Sequence, residues 1–139
     1  MKPELTSIET HFIISFSKHF TISIWLRYPR QHEDKGAAVF QKNIINKPFP
    51  GVNIFAGTAV RFRIIGYPNG LISNKTGLDN NTWNHFIFVK KEDKKTIYIN
   101  GRLAAEQNTP LENAQRNIEN IRLGANLHNM SKQNYIGAI

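Results

Sequence analysis

Phe20-Thr21-Ile22-Ser23-Ile24-Trp25-Leu26-Arg27-Tyr28 is the stretch on which the fold turns. Phe20, Ile22, Ile24 and Leu26 fall on one side, and Thr21, Ser23, Trp25 and Arg27 on the other. That period of two marks a β-strand with one buried face. Pro29 ends it, because proline cannot donate to a strand ladder. The next segment, Arg30–Gly36, is charged and reads as a loop.

Outward from this strand the same vocabulary repeats. Short strands are expected at His11–Phe16, Ala37–Lys42, Val52–Phe55, Ala59–Ile65, Leu71–Ser73, Trp83–Val89 and Thr96–Ile99. Others are expected at Arg102–Ala105, Ile118–Leu123 and Tyr135–Ile139. Turn chemistry separates them at Pro48-Phe49-Pro50-Gly51, Ala56-Gly57 and Pro68-Asn69-Gly70. Lys91–Lys95 reads as a hairpin turn. Asn100-Gly101 is the strongest hairpin signal, since both central residues of a type I′ turn need positive φ. Thr109-Pro110-Leu111-Glu112 has capping-box character, but the run to Asn117 supports one helical turn at most. Many short strands with regular turns imply an all-β fold, an antiparallel β-sandwich or barrel.

Composition narrows the function classes. The 139 residues suit a single domain over 1–139, with residues 1–10 a loose N-terminal segment. No stretch reaches the roughly 20 apolar residues of a membrane-spanning helix. There is no cysteine, which removes disulfides, thiolate metal sites and cysteine nucleophiles. Lys and Arg outnumber Asp and Glu by 18 to 10, a net charge of +8 that favours acidic partners.

Three stretches resemble a known family when taken in order. Phe20–Leu26, then Trp83-Asn84-His85-Phe86-Ile87-Phe88-Val89, then Ile97-Tyr98-Ile99-Asn100-Gly101-Arg102-Leu103 look like the laminin-G-like, concanavalin A-like lectin/glucanase jelly rolls. Ile121-Arg122-Leu123-Gly124-Ala125 matches a later element of the same pattern. The first and third stretches are also similar to the lectin-like half of clostridial neurotoxin receptor-binding regions. The resemblance implies a jelly-roll sandwich and a non-catalytic module that binds glycan or a cell-surface ligand through rim loops. The alternative is a structural or accessory module with no ligand of its own. It also implies a secreted or surface location within a larger protein, although Met1–Thr10 lacks the pattern of a signal peptide. The family pattern continues with a further strand where this chain stops at Gly137-Ala138-Ile139. A sandwich lacking its last strand would leave an unpaired edge and favour self-association.

Catalysis is not expected. A retaining glycosidase needs two carboxylates about 5–5.5 Å apart, and no E-x-D-x-E pattern occurs on any strand. Glu33-Asp34 and Glu92-Asp93 are adjacent pairs in turns, where side chains diverge. There is no G-x-S-x-G elbow and no phosphate-binding G-x-x-x-x-G-K-[ST] loop. His85 shares a strand face with Trp83 and Ile87 and reads as a packed structural histidine. For ligand binding, Trp25 is the candidate platform for a sugar's apolar face. Tyr67, Asn126, His128 and Tyr135 are candidate rim residues. Lys90, Lys91, Lys94 and Lys95 form a candidate patch for an anionic polysaccharide, while Arg61 and Arg63 read as the solvated face of a strand. Asp79 and Asn80 are candidate calcium ligands, given calcium's preference for oxygen donors. Nucleic acid is not an expected partner, because the basic residues are not interleaved with exposed aromatics.

Overall fold

The computed structural model describes residues 19–27, 37–42, 51–56, 59–64, 70–73, 82–108 and 121–124. These form nine strands: β1 His19–Arg27, β2 Ala37–Lys42, β3 Val52–Ala56, β4 Val60–Ile64 and β5 Leu71–Ile72. The rest are β6 Trp83–Lys91, β7 Lys94–Ile99, β8 Arg102–Asn108 and β9 Arg122–Leu123. They build two antiparallel sheets, ordered β1-β6-β7-β8 and β5-β4-β3-β2-β9, which pack as a sandwich.

The expected alternation is present. Along β1, Ile22, Ile24 and Leu26 are buried while Thr21, Ser23, Trp25 and Arg27 are exposed. Along β6, Asn84, Phe86, Phe88 and Lys90 face inward. Along β4, Val60, Phe62 and Ile64 do. The two inner faces meet through Phe62, which makes edge contacts with Phe88 at 5.7 Å and with Phe20 at 6.1 Å between ring centroids. Edge-on aromatic packing of this kind adds to the area each ring buries.

Two turns and two bulges set the register. The β7–β8 turn is Asn100-Gly101, with φ of 49° and 76°, the left-handed pair expected from the sequence. A Cβ at Gly101 would meet nothing within 4 Å, so its glycine serves backbone conformation and not space. The β6–β7 turn is tighter than the sequence suggests. Only Glu92 and Asp93 lie outside the strands, and Glu92 carries φ 48°. In β2 the register shifts between Ala38 and Phe40, and Gly124 N donates to the carbonyl of the bulged Val39 at 3.0 Å. In β7–β8 it shifts at Ile97/Tyr98, so that Ala104 has no cross-strand partner and Leu103 stands opposite Tyr98.

The strand expectations at His11–Phe16 and Tyr135–Ile139, the helical turn after Thr109 and the missing last strand lie outside the described residues.

Candidate functional site

Each sheet has an outer face, and the two differ in kind. The outer face of the four-stranded sheet is aromatic. The β1–β6 register sets Trp25 opposite His85 and Arg27 opposite Trp83. Trp25 and His85 stack with centroids 4.7 Å apart and planes 17° from parallel. The His85 Nε2 shares a 2.7 Å hydrogen bond with Ser23 Oγ. The Arg27 guanidinium carbon lies 5.6 Å from the centroid of the Trp83 ring, a cation–π contact. Both indoles remain open to solvent, Trp25 at 55% exposure and Trp83 at 47%. They stand diagonally across adjacent strands, a spacing of about 7–8 Å between backbones. The next row along this face is Ser23, Ile87, Tyr98 and Leu103, with Leu103 59% exposed.

The hairpin turn fastens this platform from below. Asn100 Oδ1 accepts from the backbone N–H of His85, and Asn100 N donates to the His85 carbonyl, both at 2.8 Å. Asn100 Nδ2 donates to Asn84 Oδ1 at 2.9 Å, and Asn84 Nδ2 to the Thr82 carbonyl at 3.2 Å. The first residues of β6, which carry Trp83 and His85, are therefore clamped by a turn residue 15 positions away in sequence.

The outer face of the five-stranded sheet is cationic. Its described residues include Arg61, Arg63 and Arg122, and no Asp or Glu, while Lys42 stands in the row of Val52 and Ile64 and is buried. Arg61 and Arg63 are exposed, and the bare Gly70 lies against both, 3.4 Å and 3.5 Å from their Cγ atoms when given a Cβ. The other sheet carries the described acids, Glu92, Asp93 and Glu106, and Glu106 is ion-paired with Lys94 at 2.7 Å. Among the described residues, no two carboxylates face each other as a glycosidase requires.

The structure rearranges the candidate residues. Trp25 is an exposed platform on the face opposite the core. His85 does pack, but against Trp25 on the outer face and not in the hydrophobic interior. Of the four hairpin lysines, Lys90 and Lys95 are 1% and 0% exposed, register partners that point inward in the rows of Phe88 and Ile97. The surface patch is corrected to Lys91 and the half-buried Lys94. Both lysines keep the alternation of their strands, and the ladder continues past them to Lys91 and Lys94. Tyr67, Asp79, Asn80, Asn126, His128 and Tyr135 lie outside the described residues. Trp83 was missed as a platform residue, although its place with His85 on one strand face was readable.

The laminin-G-type family model of the concanavalin A-like lectin/glucanases superfamily matches residues 6–139. The chain belongs to that superfamily. No curated protein sequence matches it. Among solved structures it is similar to the CBM40 of a Ruminococcus gnavus IT-sialidase bound to α2,3-sialyllactose. That likeness has 12% identity and a TM-score of 0.68, covering 96% of this chain and 85% of the other. It is similar to the binding domain of Paraclostridial Mosquitocidal Protein 1, at 20% identity and a TM-score of 0.65, over 93% of this chain. It is also similar to domain 4 of AbnA, an extracellular arabinanase from Geobacillus stearothermophilus, in complex with arabinotriose. There the identity is 15% and the TM-score 0.62, over 94% of this chain. The chain spans 34% of the mosquitocidal structure and 62% of the arabinanase one. At these identities the likeness establishes the shared fold. The laminin-G-like member expected from the sequence is thereby established, and the clostridial likeness has a structural counterpart.

Proposed function

We propose that this superfamily member is a non-catalytic carbohydrate-binding module that receives a sugar ring on the Trp25–Trp83 face. The observation that carries the reading is the exposure of both indoles on one face, each held by its own cross-strand partner. An aromatic ring fixed in advance loses little freedom on binding, so its contact with the apolar face of a pyranose is retained as affinity. Ser23, His85 and Arg27 stand beside the rings as polar groups that fix orientation. Sugar-bound modules among the similar structures support the class of ligand. In this reading the module acts outside the cell within a longer secreted or surface protein, and Tyr67, Asn126, His128 and Tyr135 add rim contacts.

The chain has only two tryptophans, so its selectively excited tryptophan emission reports on this face. Titration with glycans from an array is expected to shift the emission. Trp25→Ala or Trp83→Ala should weaken binding about tenfold, the scale of a lost aromatic hot spot, with the circular dichroism spectrum unchanged. Binding that survives both substitutions, or no binding to any glycan, would overturn the proposal and leave an inert structural module. Repeating the titration with EDTA tests the calcium expectation at Asp79 and Asn80.

A further inference from the structure

A row of four polar side chains crosses the five-stranded sheet on its outer face. The register pairs Arg63 with Asn53, Asn53 with Gln41 and Gln41 with Arg122. Residues directly opposite each other in a sheet project to the same side. Arg63 is exposed, Arg122 is half-buried, and Asn53 and Gln41 are 1% and 2% exposed. Both amide atoms of Asn53, Nδ2 and Oδ1, are buried without a hydrogen-bond partner, and so is Arg122 Nη1. A buried polar atom left unpaired costs about 1–3 kcal/mol. Three such atoms fall in this one row, and together they call for a ligand that completes them.

We propose that the row Arg63–Asn53–Gln41–Arg122 is a second binding site, for an acidic oligosaccharide. Two guanidiniums bracket a pair of amides, so the ligand needs anionic groups at the ends and hydroxyls between them. Guanidinium binds carboxylate and sulfate oxygens with paired donors, and a carboxamide both donates to and accepts from a hydroxyl. Four strands at about 4.7–4.9 Å spacing set the outer members roughly 14 Å apart, a length of two to three sugar rings. Arg63 is the exposed member of the row. Arg61, exposed in the next row, adds attraction. The site stands apart from the tryptophan face and does not depend on it.

Isothermal titration of the full chain with three tetrasaccharides decides the matter: a heparin-derived one, an oligogalacturonate and neutral cellotetraose. The first two separate sulfate from carboxylate as the preferred group, and binding of either with none of cellotetraose is the expected result. Arg63→Ala and Arg122→Gln should each raise Kd about tenfold, the scale of one charge-assisted hydrogen bond. Arg102→Ala, which removes the same charge from the other sheet, should leave it within twofold. Asn53→Leu keeps every charge and melts no lower than the parent, yet should also raise Kd at least fivefold. Affinity that ignores Asn53→Leu, equal binding of cellotetraose, or tighter binding of a thymidine oligonucleotide would overturn the proposal. Should Asn53→Leu fail to fold, the two arginine variants decide alone. Trp83→Ala should not affect this titration, so loss of the glycan reading at the tryptophan face and loss of this one are separable.

Discussion

The two outer faces of the sandwich solve the same problem in opposite ways. On the four-stranded sheet the polar groups around the tryptophans and the hairpin turns meet one another: Ser23 meets His85, Arg27 meets Trp83, Lys94 meets Glu106, and Asn100 meets both Asn84 and His85. On the five-stranded sheet, Asn53 and Arg122 keep buried atoms with no partner, and no described acid offsets the arginines. A self-satisfied face is rigid before a ligand arrives and selects by shape. An unsatisfied one selects by charge and hydrogen bonding, and its cost to the free protein is recovered only on binding. Among the described residues the aromatic sheet carries acids near its lysines, and the other sheet carries none.

The largest expected effect tests whether the faces share one foundation. Phe88 lies fully buried beneath the aromatic face and touches Phe62 of the other sheet. Phe88→Ala should lower stability by about 3–5 kcal/mol, through lost transfer energy and the cavity left behind. Denaturant unfolding followed by tryptophan fluorescence and by circular dichroism should show one shifted transition in both signals. Two separated transitions would mean that the sheets unfold independently and that the comparison concerns two units.

A smaller change should divide the faces. Asn100→Ala removes the hydrogen bonds to the His85 N–H and to Asn84 Oδ1, and places a less tolerant residue at φ 49°. The expected cost is about 2–3 kcal/mol, from two hydrogen bonds and the left-handed backbone. The effect should fall on the platform: tryptophan emission moves and glycan affinity drops, while the acidic-oligosaccharide titration at the Arg63 row stays the same. A change in both titrations would show that the turn supports the whole sandwich.

How much of this was legible in the sequence depends on range. Alternation along Phe20–Arg27 and the Asn100-Gly101 pair are local, and they announced the strands and the hairpin directly. The Trp25–His85 and Arg27–Trp83 pairs depend on how β1 registers against β6, some 60 residues on, which local alternation leaves open. The Arg63–Asn53–Gln41–Arg122 row needs the pairing of β2 with β9, which lie further apart still. Lys90 and Lys95 are a different case. Their parity with Phe86, Phe88 and Ile97 pointed them inward, but four lysines around Glu92-Asp93 looked like a solvated turn. Charge outweighed periodicity in that reading, whereas the fold follows the periodicity.

The smallest effect concerns the turn those lysines flank. Glu92 holds φ 48°, a conformation that costs a residue with a Cβ about 1–2 kcal/mol and costs glycine almost none. Glycine gives back part of that difference as extra freedom in the unfolded chain. Glu92→Gly should therefore raise stability by about 0.5–1 kcal/mol, read as a melting temperature a few degrees higher. Because Glu92 is exposed and its turn joins β6 to β7 at the end of β6 away from Trp83, neither titration should move. If instead the melting temperature falls, the Glu92 side chain contributes more than its backbone strain costs. The tight two-residue turn would then be held by its charge among the lysines and not by backbone fit.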